Sequence, residues 1–345
     1  MTVVNQSPSP SRLLLISVPR TASNLMLKIL NISRQKVMTS KKGGYFFFDA
    51  FTTVAHDGRL SKPIEEWSEA EKQEIRDAFQ KAVDALEECS QRAEQEGKIA
   101  FTKEHAFWFT NPVVFEGQTE QAASFRPHIP EKYGPSHTFS PLNQTVLPDE
   151  YLRTWRLTFI IRHPALAFPS LYRAKEKFLE TGLLKTETTG TLATNMTLNW
   201  TRMLYDWCLE QPGPTGKPLV VDAQDVIHNP QVVVRYCEET GLDRDAVQFE
   251  WESKQEPLDL KALSLESRKI EPDGGFGKAG ERIMLSTLMD STGIIKDNTP
   301  TAVDITAETR QWKKEFGDEV ATMLEKMVRD AMPHYEYLRS RRITV

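Results

Sequence analysis

Cysteine is scarce in this chain of 345 residues: Cys89, Cys208 and Cys237 are odd in number, far apart and without a His or Cys nearby at metal-ligand spacing. Such a set supports neither a disulfide framework nor a zinc site, and free buried thiols are the expectation. Long hydrophobic runs are missing too. The opening MTVVNQSPSPSR lacks the basic start of a secretory leader, and the apolar run behind it is too short for a signal peptide or a membrane span. A cytoplasmic protein with no membrane partner is expected. Nor is there an excess of positive charge: a formal net charge of -5 argues against nucleic acid as a partner, while leaving room for a local basic pocket that takes a small anion. No internal repeat divides the chain. With 39% hydrophobic and 26% charged residues it is a globular protein able to bury a sizeable core, and a single domain over residues 1–345 with insertions fits the length.

What is present alternates. LLLISVPRTASNLMLKIL, residues 13–30, joins an apolar run to a polar turn at Pro19 and resumes with Leu25, Leu27, Ile29 and Leu30, a strand feeding a helix. Residues 65–97 carry Trp67, Ile75, Phe79, Val83 and Leu86 near helical spacing with Gly97 as a stop, predicting a surface-packed helix. KIAFTKEH and RLTFIIRHP read as strands over 99–102 and 157–161 that end in charge. NMTLNWTRMLYDWCLEQ predicts a helix, PLVVDAQDV a strand over 219–221, NPQVVVRYCEETGL a helix stopped by Gly241, and ETRQWKKEFGDEVATMLEKMVRDAM a last long helix. KKGGYFFFDAF reads as a turn leading into a strand or a ligand-facing loop. Residues 106–150 lack sustained periodicity, as a functional lid or a passive insertion would; residues 254–300, irregular and containing GGFGKAG, form a second such stretch. The alternation predicts an α/β fold, a central parallel sheet flanked by helices.

In open parallel sheets ligands bind outside the carboxyl ends of the strands. PRTASN, after the first strand, offers successive backbone N–H groups, the hydroxyls of Thr21 and Ser23, the amide of Asn24 and the guanidinium of Arg20, a donor set suited to phosphate. It lacks the GxxxxGK[ST] pattern of a Walker A loop, and a plain capped helix start explains it as well. KEH puts Lys103 and His105 on one side of an extended segment. There a cation can neutralise developing charge while a histidine takes a proton, or both can simply be solvated. RHPALAFPS sets Ser170 eight residues after Arg162, where a turn and a helix start can return the hydroxyl to the guanidinium around a second phosphate. VVD before Ala223 has the form of a magnesium-holding strand end, although many apolar strands end in Asp. His56, His128 and His137 have no such partner and read as surface or loop residues.

Four segments, in order, resemble the sulfotransferases that use 3′-phosphoadenosine 5′-phosphosulfate (PAPS). PRTASN is similar to that family's 5′-phosphosulfate loop, RHPALAFPS to its 3′-phosphate motif, KEH to the Lys-Thr-His strand end of the cytosolic branch, and PLVVDAQDVIHNPQVVVRYCEETGL to a later strand-helix unit; MPHYEYL resembles the closing helix end. The resemblance implies a P-loop NTPase-like sulfotransferase fold with lid insertions. It also implies sulfuryl transfer from PAPS to a hydroxyl or amine of a small-molecule acceptor, leaving adenosine 3′,5′-bisphosphate. His105 is then the base, and Lys103 and Arg20 stabilise charge. Arg20, Thr21, Ala22, Ser23 and Asn24 hold the 5′-phosphate, Arg162 and Ser170 the 3′-phosphate, and no metal is required. Two positions depart from the pattern: Ala22 stands for the loop glycine and Glu104 for the threonine between Lys and His. Arg268 and Lys269 echo a C-terminal Arg-Lys-Gly phosphate clamp in which Ile270 replaces glycine. A P-loop nucleotide kinase or NTPase, and a non-catalytic binding protein of the same fold, are the competing readings.

Overall fold

A computed structural model describes residues 11–40, 43–117, 125–135, 137–182, 189–253, 277–296 and 299–345. The apolar runs become strands β1 (Arg12–Ser17), β2 (Val37–Met38), β3 (Ile99–His105), β4 (Arg156–Ile161) and β5 (Leu219–Asp222) of one sheet, ordered β2-β3-β1-β4-β5. Every neighbouring pair is parallel, as the alternation predicts. Helix α1 (Ser23–Leu30) follows β1; α2 (Phe48–Ala55) and α3 (Glu69–Gln95) follow β2; α4 (Asp149–Leu152) precedes β4; and α5 (Pro164–Glu180), α6 (Thr189–Asn195) and α7 (Asn199–Leu209) lie between β4 and β5. After β5 come α8 (Ala223–His228), α9 (Gln231–Thr240), α10 (Gly277–Asp290), α11 (Ile305–Phe316) and α12 (Asp318–Arg339).

Both faces of the sheet are covered, which is why β1 is apolar at successive positions rather than alternate ones. Leu14 and Ile16 enter a core with Phe79 and Val83 of α3 and Tyr205 of α7, while Leu13 and Leu15 point into another with Met26 and Ile29 of α1 and Tyr236 of α9. A third cluster packs Phe168 and Tyr172 of α5 on Trp312, Leu324 and Val328 of α11 and α12.

Several boundaries differ from the sequence reading. Strand β3 runs to His105, because its parallel register with β1 continues to the pair Ser17 and His105; Lys103 and His105 are part of the strand, not a charged end beyond it. Helix α3 begins at Glu69, fixed by a capping box in which Ser68 and Glu71 bond each other's backbone N–H, and Trp67 is buried just outside it. The expected helix over 195–211 starts only at Asn199, and the last helix is two, parted at Gly317, whose φ of 86° ends helical geometry. Helix α10 occupies part of the stretch read as irregular, and KKGGYFFFDAF contributes a turn and then α2, neither a strand nor only a loop. Cys208 and Cys237 are buried, whereas Cys89 is partly exposed. His128 and His137 are exposed, as expected. Among the described residues no helix is long and apolar enough to cross a membrane.

The chain leaves β1 toward the β2 edge and leaves β4 toward β5, so the switch point of the sheet lies between the carboxyl ends of β1 and β4. That crevice is where such sheets receive ligands.

Candidate active site

The turn out of β1 is built on two residues in the left-handed region, Arg20 at φ 67° and Ala22 at φ 61°, a conformation that costs a non-glycine residue roughly 1–2 kcal/mol. Buried Thr21 closes the turn by donating Oγ1–H to the Val18 carbonyl at 2.8 Å. Ala22 is the N-cap of α1 and supplies no side-chain cap, and the first turn contains no acidic residue. The first helical bond runs from Met26 N–H to the Ala22 carbonyl. The amides of Ser23, Asn24 and Leu25 therefore precede it, and with the helix dipole they favour an anion in the turn.

Two guanidinium groups meet there. Arg162, at the end of β4, donates Nη1–H to the carbonyl of Arg20 at 3.0 Å and Nη2–H to Thr299 Oγ1 at 3.3 Å, while its Nε has no partner among the described residues. The following His163 accepts from Ala165 N–H and caps α5, which starts at Pro164 and so fixes where Arg162 leaves the strand. Ser170 is brought to the same place but to the other arginine: its Oγ accepts from Arg20 Nε at 2.9 Å. Arg20 Nη1 also donates to the Met284 carbonyl of α10. The expected Arg162–Ser170 pairing is thus replaced by Arg20 lying between them. Burial lowers the pKa of both arginines, Arg162 to about 10, with the charge of Arg20 adding to burial there and Asp222 opposing it. Neither pairs with a carboxylate among the described residues. Half-buried cations without a counter-charge are costly unless an anion joins them.

Lys103 and His105 do share one side of β3. Lys103 is fully buried, donates Nζ–H to Asn24 Oδ1 at 2.5 Å, and lies over the Tyr45 ring at 4.1 Å. Burial, against the pull of Glu104, brings its pKa down to about 7. His105 Nδ1 is 2.8 Å from Ser17 Oγ, and the ring sits among Trp108 (4.3 Å between centroids), Tyr45 (5.5 Å) and Phe107 (5.7 Å). Burial and then the Lys103 charge hold His105 well below the usual histidine range, leaving a neutral imidazole. Glu104 points away, as alternation requires. Its Oε1 accepts from the N–H of Phe46 (2.6 Å) and Phe47 (3.3 Å) and from Thr102, and burial pushes its pKa up. It anchors the entry to α2 and is not turned against Lys103 or His105.

Asp222, the one candidate for a magnesium-holding strand end, is the N-cap of α8. It accepts from Gln224 N–H at 2.8 Å and from Tyr335 O–H at 2.7 Å, with Arg339 at 3.6 Å. Among the described residues no group of three or more His, Cys, Asp or Glu is placed to hold a metal ion. Arg268 and Lys269 lie outside the described residues. Two partners escaped the sequence reading: Ser17 could have been found only from the β1–β3 register, and Thr299 only from the His228 contact to its carbonyl that pins it at 2.7 Å. Tyr45 belongs to the stretch that the sequence offers as a strand or ligand-facing loop.

No protein-family model matches the chain. It is 37% identical over 348 residues to "Sulfotransferase ppzF" of Metarhizium majus, covering 97% of both chains. To "Sulfotransferase ppzF" of Metarhizium rileyi it is 35% identical over 345 residues, covering 97% of this chain and 96% of the other. Among solved structures it is faintly similar to the sulfotransferase domain of the Synechococcus PCC 7002 olefin synthase, with a TM-score of 0.33 and 14% identity over 83% of this chain and 98% of that one. A sulfotransferase domain from the curacin biosynthetic pathway gives a TM-score of 0.32 and 14% identity, covering 83% of this chain and 100% of that one. Identity above 30% along nearly the whole length settles the family where the structural likeness does not: the chain belongs to the sulfotransferases.

Proposed function

We propose that the protein moves a sulfuryl group in line from PAPS to a hydroxyl or amine of a small organic acceptor, with His105 as general base. The observation that carries this reading is the convergence of Arg20, Arg162 and Lys103 on the uncapped start of α1 without a carboxylate partner for either arginine among the described residues. A bisphosphorylated donor matches that charge. When bound, such a donor supplies an activated sulfuryl group and a phosphate leaving group. The residues would divide as follows: the amides at Ser23 and Asn24, with Thr21 and Ala22 shaping the turn, take the 5′-phosphate; Arg162, Ser170 and Arg20 take the 3′-phosphate; and Lys103 and Arg20 neutralise charge that builds up at the transferred group. His105, neutral and ringed by aromatic side chains, accepts the acceptor's proton, a role worth about 10²–10⁴-fold in rate.

For the acceptor, the aromatic shell of Tyr45, Phe48 and Trp108 supplies apolar surface beside the base. A cavity of about 180 Å³ lies between Pro112 and Phe115 on one wall and Gly190 and Ala193 on another, with Trp67 and Trp200. It joins the 106–150 insertion to α6, the two regions we assign to enclosing the acceptor. Thermal-shift titration tests the donor reading. Adenosine 3′,5′-bisphosphate at a hundred times its Kd should add about 2.7 kcal/mol of stability, and ATP with magnesium should add none. Stabilisation by ATP with magnesium alone would overturn it.

A further inference from the structure

We propose that Ser17 is a positioning residue that holds the imidazole of His105 in its Nδ1–H tautomer, so that Nε2 is the nitrogen that receives the acceptor's proton. The inference deepens the assignment of His105 as base and rests on it.

Ser17 has two polar neighbours. Its Oγ lies 2.8 Å from His105 Nδ1 and 3.3 Å from the carbonyl oxygen of Glu104. A hydroxyl has one proton to give, and a carbonyl can only accept. Were the proton given to Nδ1, Oγ and the Glu104 oxygen would face each other as two acceptors. Given to the carbonyl, it leaves a lone pair of Oγ directed at Nδ1, and the contact is satisfied when Nδ1 carries the hydrogen. Only this arrangement makes both contacts at once. Nε2 is then the unprotonated nitrogen; besides Oγ, the backbone of Ser17 also bonds the ring, so both of its hydrogen-bond partners belong to one residue of β1.

The backbone enforces the pairing. Ser17 and His105 are register partners at the carboxyl ends of two central parallel strands, and Ser17 is fully buried. Phe107 stacks at 14° to the imidazole and Trp108 meets it edge-on, so exchanging the nitrogens by a ring flip would disturb packed neighbours. An imidazole alone among aromatic rings has no such control, and a base whose lone pair is on the wrong nitrogen cannot take the proton.

Long-range ¹H–¹⁵N correlation spectra of the full-length protein labelled at histidine test this directly, with the His105 signals identified by their loss in His105→Ala. The expected result is a pyrrole-like Nδ1 and a pyridine-like Nε2 in the wild type, a changed or mixed pattern in Ser17→Ala, and the wild-type pattern in Ser17→Thr. In parallel, kcat for transfer from labelled PAPS to an acceptor found by screening should fall in Ser17→Ala by on the order of tenfold or more, a portion of what a positioned base contributes. KM for PAPS should hold, and Ser17→Thr should recover the rate. A protonated Nε2 in the wild type overturns the proposal whatever the variants do, as does a Ser17→Ala protein with the wild-type tautomer and kcat. Unchanged transfer by His105→Ala would instead remove the base assignment itself, a failure that the spectra distinguish from that of Ser17.

Discussion

Replacing Ala22 by glycine should stabilise this protein, the reverse of what the substitution does in a helix. Ala22 is held at φ 61°, ψ 20° as the N-cap of α1. The left-handed region costs an alanine roughly 1–2 kcal/mol, because its Cβ crowds the following carbonyl; glycine escapes that cost. Against this, glycine gives the unfolded chain more freedom, worth roughly 0.4–1 kcal/mol, and as an N-cap it serves adequately without a side chain. The difference is a net gain of about 0.5–1 kcal/mol. Urea unfolding reads it as a raised midpoint at unchanged slope. The matched control is Ala78→Gly inside α3, where helix propensity predicts a loss of roughly 1 kcal/mol. If Ala22→Gly destabilises by as much as the control does, the left-handed turn, and with it the orientation of the amides that follow, is wrong.

Binding of adenosine 3′,5′-bisphosphate should take up a proton at pH 8. Free Lys103 has its pKa lowered to about 7 by burial, so it is largely neutral there; an adjacent phosphate raises that pKa and draws a proton onto the amine, and affinity weakens as pH rises above about 7. Calorimetry in buffers of different ionisation enthalpy measures the uptake, and proton release at pH 8 would refute it. Tyr335→Phe removes the hydroxyl that donates to buried Asp222 at 2.7 Å and should cost about 1–3 kcal/mol of unfolding free energy. Its bisphosphate affinity should be unchanged, with or without magnesium, because Asp222 acts as a cap; a magnesium-dependent loss of binding would restore the metal reading of that strand end.

The sheet was legible because burial on both faces makes successive positions apolar, and β1, β3, β4 and β5 each carry three or four apolar residues in a row. Edge strand β2 has two residues and no run to betray it. Helix α10 follows glycines that break any periodic signal, and Gly317 hides inside a continuous helical pattern. Within the site, Arg20, Lys103, His105 and Arg162 could be named from their strand ends, since the fold dictates what strand ends do. Their partners could not. Ser170 bonds Arg20 across 150 residues of chain and Ser17 meets His105 across 88, and such pairings are set by register and helix packing. Ala22 and Glu104 looked like departures that could disable the site. Ala22 is accommodated in the left-handed turn, and Glu104 is spent on the backbone of Phe46 and Phe47.

The central claim is that half-buried, unneutralised arginines at the β1–β4 crevice bind a nucleotide carrying phosphates at both ends of its ribose. Titrating wild-type protein and Arg162→Ala with adenosine 3′,5′-bisphosphate and with adenosine 5′-monophosphate tests it most directly. Loss of charge-assisted hydrogen bonds worth about 1.5–3 kcal/mol should weaken the bisphosphate roughly 10- to 150-fold and leave the monophosphate nearly unchanged. Equal weakening of both ligands would contradict the account.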